Sequence, residues 1–210
     1  MLFRSLNKER KLIGEPQLSW LADTYGNSEV AWNILGQQVL MTKLKFPDIS
    51  SALSKSNLSE EVKQYLPLLK LGLPSNLDAW DGYPAERDRI FSLFKNNNSK
   101  LISLAGDTHN AWFSKLFNNA EEHIGYEFGT PSVTSPGLSE YLNGINPGEL
   151  EQGIINANKE IKWVNTSHRG YTKIYLNESI LKGTFKFIES VLEKSAEISF
   201  SKTFTIDPKS

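Results

Sequence analysis

Cysteine is absent from the 210 residues. That removes disulfides, thiolate metal ligands and cysteine nucleophiles together. Histidine is scarce, with three, so imidazole chemistry must come from His109, His123 or His168. An excess of either charge is also missing: 23 basic and 24 acidic residues leave a net charge of -1. Such a balance offers no general attraction to nucleic acid or anionic membrane, and neither is expected as a partner. No run approaches the roughly 20 apolar residues of a membrane span. The basic start MLFRSLNKERK lacks the apolar core of a secretory signal.

What is present reads as an α/β domain. The content is 39% hydrophobic and 22% charged, ordinary for a globular chain. Pro16 suits a first helical turn, and Leu18, Trp20 and Leu21 begin an apolar stripe, so a helix is expected over 14–22. Trp32–Met41 (WNILGQQVLM) is apolar enough for a buried strand interrupted at Gly36. Residues 47–76 read as an excursion with one short helix near 59–70. DAWDGY at 78–83 is turn chemistry, and Pro84 opens a helix through about Lys95. Leu101–Ala105 (LISLA) has the length of a central strand. Gly106 ends it, and a helix is expected from about Asn110, completing a strand–loop–helix unit. Strands are expected over 161–165 and 171–176, flanking the loop Thr166–Gly170. From Ile198 to Ile206 apolar and polar residues alternate with one slip at Lys202, the mark of half-exposed antiparallel strands.

The chemistry concentrates at Gly106-Asp107-Thr108-His109. The tetrapeptide follows an expected buried strand, and open α/β sheets place their ligands at strand carboxyl ends. A carboxylate suits a hard cation and an imidazole suits iron, zinc or manganese. Asp107 could equally cap the next helix, with His109 beside it on the surface. Asp78, Asp81 and Arg87 either line the cleft or fix the turn and tie the helix to it. Trp80 and Tyr83 read as packing anchors of that turn. His168, in the loop His168-Arg169-Gly170, either reaches the cleft as a general acid or is a solvated loop residue. Thr130–Gly137 (TPSVTSPG) offers hydroxyls and glycines, without the lysine of a phosphate-binding loop. His123, beside Glu121 and Glu122, reads as a surface residue.

Taken in order, WNILGQQVLM, DAWDGYPAER, LAGDTHNAW, FGTPSVTSPG and HRGY resemble the PhoD-type alkaline phosphatases of the calcineurin-like phosphoesterase class. DAWDGYPAER and GDTH carry most of the specificity. The resemblance runs from about Arg10 to Asp207 and is weakest over 47–76. It implies a four-layer α/β/β/α sandwich with iron and calcium, in which metals bind the phosphate of an ester substrate and activate water. It also implies Asp107 and His109 as metal ligands; the residues themselves add His168 as the candidate catalytic residue and Arg87 and Arg169 as candidate substrate contacts. The localisation implied is secreted, periplasmic or cell-envelope.

The family's remaining ligands lie in an N-terminal half with no counterpart upstream of residue 10. The expectation is therefore that residues 1–210 form the C-terminal part of such a domain, half the sandwich plus a C-terminal antiparallel β extension. It would hydrolyse only with the missing half, would expose the apolar face that half covers, and would bind it or self-associate. The rival expectation is a non-catalytic interaction module that retains half of the fold.

Overall fold

The computed structural model describes residues 7–26, 28–47, 72, 74–95, 100–142, 144–194 and 197–208. The helix expected near 59–70 lies outside them. Two sheets are formed. The larger holds β1 (Trp32–Gly36), β2 (Lys100–Ala105), β3 (Ala111–Phe117), β4 (His123–Gly129) and β5 (Ile161–Asn165) in the order β1-β2-β4-β3-β5. β1, β2 and β4 run parallel, and β3 is antiparallel to both β4 and β5. The smaller is an antiparallel meander of β6 (Arg169–Asn177), β7 (Ile180–Ile188) and β8 (Ile198–Ile206).

The residues of β2 explain its central position. Leu101 packs toward the helices α1 (Gly14–Tyr25) and α2 (Pro84–Lys95), with Leu18, Leu21, Ile90, Phe91 and Phe94. Ile102, one position on, packs into the second sheet. A strand covered on both faces must be apolar throughout, which is why LISLA shows no alternation.

Ile102, Phe113, Tyr126 and Phe128 meet Leu181, Phe185, Phe187 and Ile206 in one cluster between the sheets. Gly183 permits the close approach there, since a Cβ at that position would lie 2.0 Å from the Phe128 ring. α3 (Leu138–Tyr141) and α4 (Pro147–Ala157) follow β4. From α4, Leu150 and Ile154 pack on Trp112, Ile161 and Val164. The described residues thus stack as helices, sheet and sheet.

Several expectations are corrected. Residues from Asn110 form β3 rather than a helix: Trp112 points to the helices and Phe113 to the second sheet, so aromatic packing on both faces overrides the helical reading. The strand at Trp32 stops at Gly36, where the chain leaves the sheet. The strands expected over 161–165 and 171–176 are present as β5 and β6; they belong to different sheets, so the connection between them crosses between layers. The C-terminal strands are not an extension; they are the second layer of the core. The inner face expected to be bare is therefore covered from within the chain. The outward row of Tyr171, Lys173 and Tyr175 beside Lys182 is exposed and largely polar.

Candidate functional site

The topology brings four segments to one edge. β1, β2 and β4 are parallel, and β5 joins their direction through antiparallel β3. Their carboxyl ends therefore emerge together, as residues 37–39, 106–109, 130–137 and 166–168. Backbone bonds stitch them: Gly106 N–H donates to the Gln38 carbonyl at 3.2 Å, Thr130 N–H to Ala105 at 2.7 Å, and Gly170 N–H to Ser132 at 3.0 Å. This is the carboxyl edge at which open sheets place ligands.

Asp107 and His109 sit there on an unusual backbone. Their φ angles are 67° and 59°, the left-handed region that side chains with a Cβ adopt at a cost. Thr108 N–H donates to the Gly106 carbonyl at 2.8 Å, closing a three-residue turn around Asp107, the strained hand of that turn. The surroundings hold the strain in place. Trp112 Nε1–H donates to Thr108 Oγ1 at 2.7 Å. Leu138 N–H donates to Asn110 Oδ1 at 2.8 Å, while the Asn110 amide donates to the Thr108 carbonyl.

His109 Nδ1 lies 3.1 Å from the Pro136 carbonyl. A carbonyl can only accept, so in the neutral ring Nδ1 carries the proton and Nε2 the lone pair. That is the tautomer a metal-ligating histidine uses.

Arg169 is 6% exposed. One of its terminal nitrogens donates to Glu140, which also accepts from Gly137 N–H at 2.9 Å. Among the described residues, its Nε and Nη1 find no hydrogen-bond partner. A Cβ on Gly137 would lie 2.6 Å from the Thr166 carbonyl oxygen and 2.8 Å from Asn110 Oδ1, so glycine lets the loop containing Pro136 pack against both, beside the guanidinium. His168 is half-buried, with Nδ1 near Ser167 Oγ (3.0 Å) and the Asn165 side chain. Its ring packs edge-on against Phe200, with centroids 4.8 Å apart.

Arg87 is placed elsewhere. It is buried on α2 and donates to Asp81 at 2.9 Å and to the Met41 carbonyl at 3.0 Å, which is the tie between helix and turn. Trp80 anchors that turn by donating to Gln37 Oε1 at 2.6 Å. Asp78 stays exposed. His123 is half-buried rather than a surface residue, and it lies at the opposite edge, packed on Phe117 and Tyr126. Burial, with Lys100 and Lys115 nearby, lowers its pKa to about 4.

Sequence reasoning missed a row of clasps on the segment after β1. Met41 and Thr42 N–H donate to Glu127 (2.8 and 2.9 Å), Lys43 N–H to Glu160 (3.1 Å), Leu44 N–H to Asp81 (2.8 Å) and Lys45 N–H to Asn158 (2.7 Å). Glu127 also accepts from Thr42 Oγ1 and Ser103 Oγ. Burial pushes the Glu127 and Glu160 carboxyls up, and the donors aimed at them pull the other way. The available signal was Glu127 itself, a carboxylate amid the apolar strand HIGYEFG.

A family model described as PhoD-like phosphatase matches residues 3–185. The chain belongs to the PhoD-like phosphatase family. It is 29% identical over 205 residues to alkaline phosphatase D of Bacillus subtilis (strain 168), covering 95% of this chain and 30% of that protein. A solved structure described as the structure of PhoD superposes with a TM-score of 0.70 at 27% identity, covering 97% of this chain and 35% of the other. The chain thus spans about a third of the length of these relatives.

PhoD-like enzymes are generally metal-dependent, and Asp107 with the free Nε2 of His109 fits part of a donor set. Among the described residues no three His, Cys, Asp or Glu side chains gather as a metal group. Two donors are fewer than the three protein ligands typical of catalytic zinc sites.

Proposed function

We propose that this chain forms the C-terminal wall of a phosphoester hydrolase site that needs a further portion of the family's fold to be complete. The observation that carries the reading is the turn at Asp107–His109: two non-glycine residues held left-handed at the carboxyl edge, with the His109 tautomer fixed for ligation. Strain of this kind persists where surrounding structure over-determines it, and it clusters at functional sites.

In this reading Asp107 and His109 Nε2 are two ligands of a metal site, with calcium and iron as the metals the resemblance implies. Such metals, when bound, neutralise phosphoryl oxygens and supply a hydroxide near neutral pH. The chain's own groups do the rest. The Pro136 carbonyl keeps His109 in one tautomer and one orientation. Arg169, buried with two spare donors, is the group on this wall suited to a phosphate oxygen. His168, in the loop after β5 at the same edge, is the candidate general acid of this reading. Arg87 serves the wall through Asp81 and Met41 and has no direct part.

The test is hydrolysis of 4-nitrophenyl phosphate. The isolated chain should turn over little, and supplying the N-terminal portion of the fold should restore activity. In the restored enzyme Asp107→Ala or His109→Ala should lower kcat by more than the roughly 10–100-fold typical of outer-shell partners. Robust metal-dependent turnover by the 210 residues alone overturns the need for a second portion. Restored activity indifferent to both substitutions overturns the site assignment.

A further inference from the structure

Beside Asp107 lies an open cleft of about 230 Å³. Its body is apolar, formed by Leu44, Phe46, Trp112, Leu138 and Ile154, and a polar rim of Lys45, Ser75, Asn76, Asp107, Thr108 and Asn110 completes the lining. We infer that this cleft receives the alcohol part of the ester, and that it selects a leaving group with an apolar body about the size of one ring. The inference rests on the proposed hydrolase reading, because Asp107 belongs both to the proposed metal site and to the cleft.

Three features support a built subsite. The first is the wall at residues 44–47. It continues directly from the clasped segment, in which five successive backbone N–H groups from Met41 to Lys45 are held by Glu127, Glu160, Asp81 and Asn158. The Asn158 amide returns a bond to the Lys45 carbonyl at 2.8 Å, and Ser75 N–H donates to the Leu44 carbonyl at 2.9 Å. Burying carboxylates is costly unless donors surround them. Here they hold a stretch of chain that belongs to no helix or sheet strand, which fixes the wall before a ligand arrives.

The second feature is the opposing wall. Trp112 is bonded through Nε1 to Thr108 Oγ1, which ties the indole to the strained turn carrying Asp107. The third is size. An apolar cavity of about 150 Å³ admits benzene, so 230 Å³ holds a single ring with room for a substituent. Most of the exposed lining is apolar, so a ring has more to bury there than a polyol such as glycerol.

The test is methyl and amide NMR on the 210-residue chain, with phenol and glycerol as probes of the cleft. A separate arm uses Mn²⁺ with inorganic phosphate as the probe of residues 106–109. Phenol should shift the methyls of Leu44, Leu138 and Ile154, and glycerol should not. Leu138→Trp, which fills the cleft from α3, should weaken the phenol response at least about tenfold, with unchanged circular dichroism. Unshifted cleft methyls in phenol overturn the inference whatever the Mn²⁺ arm gives, as does a phenol response indifferent to Leu138→Trp in a folded variant. Cleft methyls that respond while Mn²⁺ and phosphate leave 106–109 untouched overturn the hydrolase reading instead, and the leaving-group assignment with it.

Discussion

Two regions of this molecule are built on opposite principles. The C-terminal meander β6–β8 holds to the larger sheet through apolar contact, with Phe185 and Phe187 fully buried between the sheets. The segment 37–45 has apolar anchors in Leu40 and Met41, but its backbone is fixed by buried polar groups, among them the carboxylates of Glu127 and Glu160. Apolar burial is strong and non-directional. A satisfied hydrogen-bond clasp adds little net stability but fixes position closely. The meander is therefore the foundation, and the clasped segment with the Asp107 turn is the positioned part.

The largest expected effect breaks the foundation. Phe185→Ala should lower stability by about 3–5 kcal/mol, read as a shift in the urea midpoint, with amide-exchange protection falling throughout the chain. Loss confined to β6–β8 would show that the meander is an appendage and would undo the contrast.

Next comes the clasp. Glu127→Gln replaces an acceptor oxygen by an amide that faces the donors of Met41, Thr42 and Ser103. The expected cost is about 2–3 kcal/mol. The sharper readout is local: hydrogen exchange at Met41 and Thr42 should accelerate beyond what global destabilisation explains. Uniform acceleration would make Glu127 one more core residue.

The smallest effect lies away from both regions. His123 has a folded pKa of about 4, below the unfolded value near 6.5. Between these values the unfolded chain binds more protons, so stability falls as pH drops from 6.5 toward 4. Discounted for its half-exposed ring, the loss is about 1 kcal/mol, and His123→Phe should flatten that slope. An unaltered slope would place the acid sensitivity elsewhere.

The same contrast explains how much was legible. The helix after Pro84, the strand LISLA and the alternation of Ile198–Ile206 could be read because propensity, punctuation and periodicity agreed there. The place of Asp107 and His109 at the carboxyl edge was readable because their motif is local. β3 was not, since aromatic residues packed on both faces leave no alternation. The layer change at Thr166–Gly170 is a property of the whole topology. The clasps were hidden because each joins Met41–Lys45 to a residue 37 to 117 positions away, and a lone buried glutamate does not name its partners. Arg87 looked like a substrate ligand in its motif, but packing gives it to Asp81.

The most direct test of the central claim is Mn²⁺ titration of the chain followed by paramagnetic line broadening. The account predicts broadening centred on residues 106–109, weak in affinity because the chain brings two donors, and lost in Asp107→Ala. In the metal-free chain His109 should show the tautomer protonated at Nδ1. Broadening centred away from 106–109, or unchanged in Asp107→Ala, would contradict the account.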